Sequence, residues 1–245
     1  MENVNANRKV VVVTGGGSGI GRACVEKFLV AGDWDVVAAD LQFPNGTSAP
    51  TGELQAHMDV SDPSMVDEVF ATIVREVGPI HAVVHCAGIK GDRVSVGEYQ
   101  LSRWQQIINV NLNGTFYAMR SALPHLADTR GSFVAMASTL GLISSRHTSA
   151  YTAAKHGVVG LVKSAALDYA DSGVRVNAIA PAFIDTPFLQ ISTGVDDMQE
   201  VLDKHPLGRL GRPEEVAAMA LFLSTENAAF TTGSVFSVDG GYTAQ

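Results

Sequence analysis

Two hydrophobic periods alternate along the chain. Short runs dominated by Val, Ile and Ala occur at KVVVVTG (9–15), DVVAAD (35–40), LQAHMDV (54–60), IHAVVHCAG (80–88), GSFVAMAS (131–138), VRVNAIAP (174–181) and GSVFSVDGG (233–241). Near-continuous apolar runs of this length predict strands buried on both faces. Between them apolar positions recur at helical spacing. Helices are predicted over 19–31, ending near Gly32; over 63–78, with an acidic first turn and a glycine at its end; over roughly 98–126; over 149–171; and over 213–224, opened by Pro213 and two glutamates. The stretch 43–52 is rich in Pro, Gly and Thr and carries no helix signal. Strands separated by helices imply right-handed βαβ units: an α/β, doubly wound parallel sheet with helices on both faces. No linker or repeat interrupts it, so residues 1–245 are expected to be a single domain.

Sheets of this kind bind ligands at the carboxyl ends of their strands, where the strand order reverses. After the first run comes TGGGSGIG (14–21). Gly15, Gly19 and Gly21 permit a sharp turn and close approach of a ligand, and the helix that starts there offers free N–H groups to a pyrophosphate. A plain tight turn is the competing reading. Asp40 ends the second run, nineteen residues beyond Gly21, and neither Leu41 nor Gln42 is basic. An acid there accepts hydrogen bonds from ribose hydroxyls and repels the extra phosphate of NADP, which favours NAD. Asp59, after the third run, suits either an adenine amino group or a helix cap. After the fourth come Cys86, Ala87 and Gly88, the last two small enough to admit a flat ligand; Cys86 reads as a small buried hydrophobe. Ser138 ends the fifth run and Tyr151 follows thirteen residues later. Ser138 has no Gly-x-Ser-x-Gly setting, which disfavours a hydrolase nucleophile. Tyr151 and Lys155 share one helix face. Either that face is simply solvated, or the ammonium lowers the phenol from its usual value of about 10.

Composition narrows the classes of function. The chain has 46% hydrophobic and 17% charged residues and a net charge of −8. There is no basic stripe, so nucleic acid is not an expected partner, and the acidic balance disfavours an anionic membrane surface. The start, MENVNANRK, is polar, and no run approaches the roughly 20 apolar residues of a membrane span. Two cysteines, Cys24 and Cys86, make no disulfide framework, so a cytoplasmic setting is expected. The histidines are scattered singly, and no metal site is expected.

Taken together, TGGGSGIG, Asp40, AG (87–88), NVNLNG (109–114), Ser138, YTAAK (151–155), NAIAPAFIDTP (177–187), PLGRLGRPEEVA (206–217) and VDGG (238–241) resemble the short-chain dehydrogenase/reductase family along nearly the whole chain. The resemblance implies a Rossmann-type fold with a seven-stranded parallel sheet and a nicotinamide cofactor. It places the family's catalytic serine, tyrosine, lysine and asparagine on Ser138, Tyr151, Lys155 and Asn111. Cofactor contacts are implied for Gly15, Ser18, Gly19, Ile20, Gly21, Asp40, Asp59, Val60, Cys86, Ala87, Gly88, Tyr151, Lys155, Pro181, Ile184 and Thr186. In this scheme Lys155 lowers the Tyr151 pKa and holds the nicotinamide ribose. Asn111 orients a water that joins Lys155 to solvent. Two departures stand out: Cys86-Ala87-Gly88 replaces the usual Asn-Ala-Gly, and Pro181-Ala182 replaces the usual Pro-Gly.

Residues 89–97, 139–147 and 183–205 are expected to wall the substrate pocket, with Ser138, Leu140, Tyr151, Phe183 and Phe188 in contact with substrate. Their apolar character suggests an apolar or cyclic secondary alcohol or its ketone, although ordinary lid packing has the same composition. Oxidation of a cis-dihydrodiol and reduction of a 3-oxoacyl thioester are rival reactions; a non-catalytic dinucleotide sensor is the rival of another class. Family members are commonly homo-tetramers, and the helices near 98–126 and 149–171 are the expected contact surfaces.

Overall fold

The computed structural model describes residues 8–44, 53–190 and 198–244. The polar start at 1–7, most of the 43–52 loop and the pocket-wall stretch 191–197 lie outside the described residues. One sheet contains β1 (Lys9–Thr14), β2 (Trp34–Asp40), β3 (Leu54–His57), β4 (Ile80–His85), β5 (Ser132–Met136), β6 (Arg175–Pro181) and β7 (Val235–Val238). Its order is β3-β2-β1-β4-β5-β6-β7, and every pairing is parallel. The order reverses between β1 and β4, so a crevice opens between their carboxyl ends.

The valine run of β1 shows why this sheet is covered twice. Val10 and Val12 face one layer, with Phe70 of α2 (Pro63–Glu76), Leu126 of α4 (Gly114–Thr129) and Val158 of α5 (Ser149–Asp168). Val11 and Val13 face the other layer, with Phe28 of α1 (Gly19–Ala31) and Leu223 of α8 (Pro213–Ser224). Each such side chain contributes about 1.5–3 kcal/mol on burial. Phe28 also meets Trp34 edge-on, with ring centroids 5.1 Å apart. Among the described residues no helix is long and apolar enough to cross a membrane.

Several boundaries differ from expectation. The runs 9–15, 54–60, 80–88, 131–138 and 233–241 each leave the sheet early, at Thr14, His57, His85, Met136 and Val238. Their last residues bend away and line the crevice or turn. The helix expected at 63–78 ends at Glu76, and its first turn holds no acid; Asp62 caps it instead, accepting from the Ser64 and Met65 N–H groups at 2.9 and 3.2 Å. That capping role therefore belongs to Asp62 and not to Asp59. The helix expected at 149–171 stops at Asp168 and is followed by a 3-10 turn.

The long helix expected over 98–126 is α3 (Leu101–Ile108), a π turn (Asn109–Asn113) and α4, which runs on to Thr129. Asn111 explains the interruption. Its side-chain amide donates to the Ile107 carbonyl at 3.0 Å, taking the acceptor that an α-helix would give to its own N–H. A side chain inserted into the ladder in this way shifts the following turn.

Candidate active site

A cavity of about 1040 Å³ occupies the crevice. Its floor is the TGGGSGIG turn. Gly15 and Gly19 have φ of +66° and +52°, and a Cβ on Gly21 would sit 2.0 Å from the Gly15 carbonyl oxygen. The turn therefore has to be built of glycine. Ser18 occupies the N-cap position of α1 but makes no side-chain cap. The first N–H groups of this thirteen-residue helix are left for a ligand at the positive end of its dipole. Such a cradle fits the pyrophosphate of a dinucleotide.

The other expected cofactor residues surround this floor. Gly15, Ser18, Gly19, Ile20, Gly21, Asp40, Asp59, Val60, Cys86, Ala87, Gly88, Pro181, Ile184 and Thr186 all line the cavity. Asp40 is oriented by its own turn, accepting from the Gly17 N–H at 2.9 Å and the Gln42 N–H at 3.0 Å. Asp59 accepts from the Ser61 N–H and hydroxyl at 2.8 and 2.7 Å. Thr186 packs on the glycine turn from above: a Cβ on Gly19 would lie 3.5 Å from its side chain. The two departures from the family pattern are accommodated. Ala182 needs no left-handed backbone, because its φ is not positive. Cys86 packs against the apolar layer that holds Cys24, and the Cys24 thiol is pushed well up by its hydrogen bond to Cys86 and by burial.

The same cavity is lined by the residues expected to react, Ser138, Tyr151 and Lys155. Ser138 sits just beyond β5 and accepts from the Leu140 N–H at 3.1 Å. Tyr151 and Lys155 project from the first turns of α5. Lys155 is 4% exposed and donates to the Met136 carbonyl at 2.7 Å. Its Nζ lies 5.6 Å from the centre of the Tyr151 ring. Burial pulls the Lys155 ammonium down to about 8, with Cys86 opposing. Burial pushes the Tyr151 phenol up to about 12, with a hydrogen bond to Ser138 opposing. The expected lowering of Tyr151 is therefore not present in the cofactor-free protein. Desolvation of the phenolate outweighs the bond to Ser138, and the lysine is committed to a backbone carbonyl.

Asn111 is fully buried, and no hydrogen bond joins it to Lys155 among the described residues. It accepts from the Ile89 N–H at 3.1 Å and donates to the Ile89 carbonyl at 3.0 Å. The carboxamide thus fastens the chain beyond β4 to the π turn. Its Oδ1 would lie 2.8 Å from a Cβ on Gly88, and the Lys155 Nζ 3.8 Å. Gly88 is needed for this close approach.

Leu140, Phe183 and Phe188 line the cavity together with Ser138 and Tyr151. Phe188 belongs to the short helix α6 (Pro187–Gln190) and tilts against Tyr151 with ring centroids 6.3 Å apart. Sequence reasoning gave no role to Thr14, His85, Met136, Glu200 or Lys204. Thr14 ties two strand ends together: its hydroxyl is 2.9 Å from His85 Nδ1 and accepts from the Ala87 N–H at 3.3 Å. Burial, then the charge of Lys155, lowers His85 to about 3, so this ring is neutral. Glu200 and Lys204, 2.6 Å apart, bring charge to the rim from α7 (Met198–Asp203) and the residue after it. The Met136 carbonyl has no side-chain signature at all. Thr14, by contrast, carries a signal that could have found it: it is the polar end of a valine strand.

Comparison with known proteins gives the chain its family. The family model described as enoyl-(acyl carrier protein) reductase, of the short-chain dehydrogenase/reductase type, matches residues 15–243. The cyclohexanol dehydrogenase of Acinetobacter sp. (strain SE19) is 38% identical, with both chains covered in full. The cis-4-hydroxycyclohexanecarboxylate dehydrogenase of Sinomonas cyclohexanicum is 35% identical over 96% of this chain and 97% of that one. Among solved structures, the ligand-free aldohexose dehydrogenase of Thermoplasma acidophilum superposes with a TM-score of 0.87 at 35% identity, covering 98% of this chain and 95% of that one. With its seven-stranded sheet, its glycine cradle and a match running nearly end to end, the chain belongs to the short-chain dehydrogenase/reductase family of oxidoreductases, which bind a nicotinamide dinucleotide.

Proposed function

We propose that this protein is an NAD-dependent dehydrogenase of apolar, cyclic secondary alcohols, working also in reverse on the ketones. The carrying observation is the convergence of Ser138, Tyr151 and Lys155 on the half of the cavity that faces Leu140, Phe183 and Phe188. The printed activities of the Acinetobacter and Sinomonas relatives, both on six-membered-ring alcohols, support the substrate class. A non-catalytic sensor has no need of all three reacting groups in one cavity.

When bound, the cofactor supplies the hydride acceptor or donor. The chain supplies the rest. Ser138 donates its hydroxyl hydrogen to the substrate oxygen and stabilises charge developing there. Tyr151 takes the hydroxyl proton as general base in oxidation and returns it as general acid in reduction. Lys155, held by the Met136 carbonyl, binds ribose hydroxyls. Asn111 keeps Gly88 and Ile89 in place beside the ammonium. Asp40 sets the preference for NAD, and assembly is as a homo-tetramer.

A second reading, a cyclic alcohol that also bears a carboxylate, is favoured by Lys90, Arg93 and Lys204 in the cavity wall. One experiment tests both. Purified protein with NAD⁺ is screened against cyclohexanol, cis-4-hydroxycyclohexanecarboxylate, a cis-dihydrodiol and acyclic secondary alcohols, following NADH absorbance. Turnover of cyclohexanol above the acyclic alcohols is expected. Absence of turnover with every alcohol would remove the dehydrogenase reading.

A further inference from the structure

The chain between β4 and α3 has almost no regular structure, yet it is fastened at successive residues. Ile89 is held on both its backbone groups by Asn111. Lys90 gives its carbonyl to Arg103 Nη2 at 3.1 Å. Asp92 receives Arg103 Nε on both carboxylate oxygens, at 3.0 and 3.2 Å. The Asp92 N–H donates to the Tyr99 hydroxyl at 3.0 Å. Arg103 itself is steadied by Gln106 Oε1 at 2.6 Å, and the Tyr99 ring by an edge-on contact with Trp104, centroids 6.1 Å apart. One face of α3 and the residues before it thus act as a clamp on the turn.

Gly91 is the residue that the clamp presses inward. A Cβ there would lie 3.1 Å from the Tyr151 Cβ, 3.5 Å from the Tyr151 nitrogen and 3.4 Å from the Tyr99 hydroxyl. Its φ is not positive, so an added Cβ would crowd Tyr151 by a few tenths of an ångström and would not strain the backbone. The turn backbone therefore lies flat on the base of Tyr151, while Phe188 leans on its ring from α6. Both α5 and the turn are needed to fix where the phenol points.

We propose that Arg103, acting through Asp92 and the Lys90 carbonyl, is a positioning residue that seats Gly91 against Tyr151 and so aims the phenol at the substrate oxygen. This rests on the reading of Tyr151 given above. A guanidinium suits the task because its planar fork satisfies a carboxylate and a carbonyl at once, which an ammonium does not. The clamp reaches Tyr151 through Gly91, and none of these bonds runs to the glycine cradle, so its effect falls on the alcohol side of the reaction.

The test is steady-state kinetics of R103A, R103K, G91A and Y151F on the alcohol that the panel finds best, with thermal melting of each. R103A and G91A are expected to lose about tenfold or more in kcat, the scale on which small misplacements act, while their KM for NAD⁺ stays at the wild-type value. R103K is expected to lie between R103A and wild type, and added methylguanidinium to restore part of the R103A activity. If R103A does not fold, G91A and R103K decide the matter. Wild-type kcat in G91A and in whichever Arg103 variants fold would overturn the proposal. So would losses that appear in KM for NAD⁺ as strongly as in kcat. Wild-type turnover in Y151F would instead overturn the underlying reading of Tyr151, and so the two failures are separable.

Discussion

Lys155 lies beneath Tyr151 without bonding to it: its Nζ is 5.6 Å from the ring centre and donates at 2.7 Å to the carbonyl of Met136. The ammonium is buried at a cost, because its pKa falls to about 8 from the usual value of about 10.4. The sign of the consequence follows by linkage. Between those two values the unfolded chain holds the proton and the folded one has released it, so stability from this group rises with pH. Below pH 8 the penalty is present in full. Lys155→Met is therefore expected to raise the melting temperature of the cofactor-free protein at pH 7, with the gap closing towards pH 10. Calorimetry across that range checks it. A gap independent of pH would mean that charge burial is not its origin.

Tyr151→Phe removes a hydroxyl and leaves the ring packing on Phe188 intact. Turnover is expected to fall by roughly 10²–10⁴-fold, the range for general acid–base catalysis. NADH affinity, measured by fluorescence titration, is expected to be unchanged. In the wild type, alcohol oxidation is expected to rise with pH, because the phenol is held up at about 12 without cofactor and the phenolate is the base. A pH-independent oxidative rate where hydride transfer is limiting would contradict that assignment.

Asn111 carries a structural load that is separable from chemistry. Asn111→Ala would leave the Ile89 N–H and carbonyl and the Ile107 carbonyl without their side-chain partner. An unsatisfied buried polar group costs about 1–3 kcal/mol. Urea unfolding is expected to show a loss of at least that size, accompanied by lowered alcohol turnover. Unaltered stability would show that water or a relaxed backbone replaces the amide.

The sheet was legible because β1, β4, β5 and β6 are buried on both faces and therefore read as unbroken apolar runs. Their ends were not, since Cys86-Ala87-Gly88 and Ala137-Ser138 are as small and apolar as strand residues while serving the crevice. The helix break at Asn111 was hidden for a related reason. Its cause is the Asn111 side chain taking the Ile107 carbonyl, and that side chain is held by Ile89, twenty-two residues away, of which helical periodicity carries no trace. The family motifs singled out Ser138, Tyr151, Lys155 and Asn111, which the fold gathers in one cavity. The direction of the Tyr151 shift was not legible, because burial competes with charge and only the fold sets the balance. The Arg103 clamp was invisible for the same reason: an arginine on an amphipathic helix looks solvated until its partners are placed.

Assembly is open to a direct measurement. Leu101 of α3, Phe116 of α4 and Leu167 of α5 are 84%, 46% and 80% exposed. Apolar side chains on these helices, the contact surfaces that the family resemblance implies, support the proposed homo-tetramer. Light scattering at micromolar concentration is expected to give four times the 25.8 kDa chain mass. Particles of the chain mass alone would exclude this assembly, and Leu167→Glu is expected to weaken it where the contact runs along α5.

Cofactor preference turns on Asp40. Both its oxygens are engaged by the turn, with the Gly17 N–H at 2.9 Å and the Gln42 N–H at 3.0 Å, so the carboxylate is a fixed negative charge in the cavity wall. A 2′-phosphate brought there meets like charge, with no basic residue at Leu41 or Gln42 to offset it. Gln42 closes the same side sterically, since its amide lies where a Cβ on Gly17 would stand, 1.7 Å away. NAD(H) is expected to bind at least about tenfold tighter than NADP(H), a difference of about 1.4 kcal/mol. Asp40→Ala is expected to narrow the gap from both directions. It removes an acceptor for the ribose hydroxyls, which weakens NAD(H), and it removes the repulsion while freeing the Gly17 N–H, which strengthens NADP(H). Adding Gln42→Arg to it supplies a cation for the phosphate and is expected to reverse the preference. Titration of wild type, the single and the double variant with both reduced cofactors measures each term. Equal binding of the two cofactors by the wild type would show that Asp40 does not govern the choice.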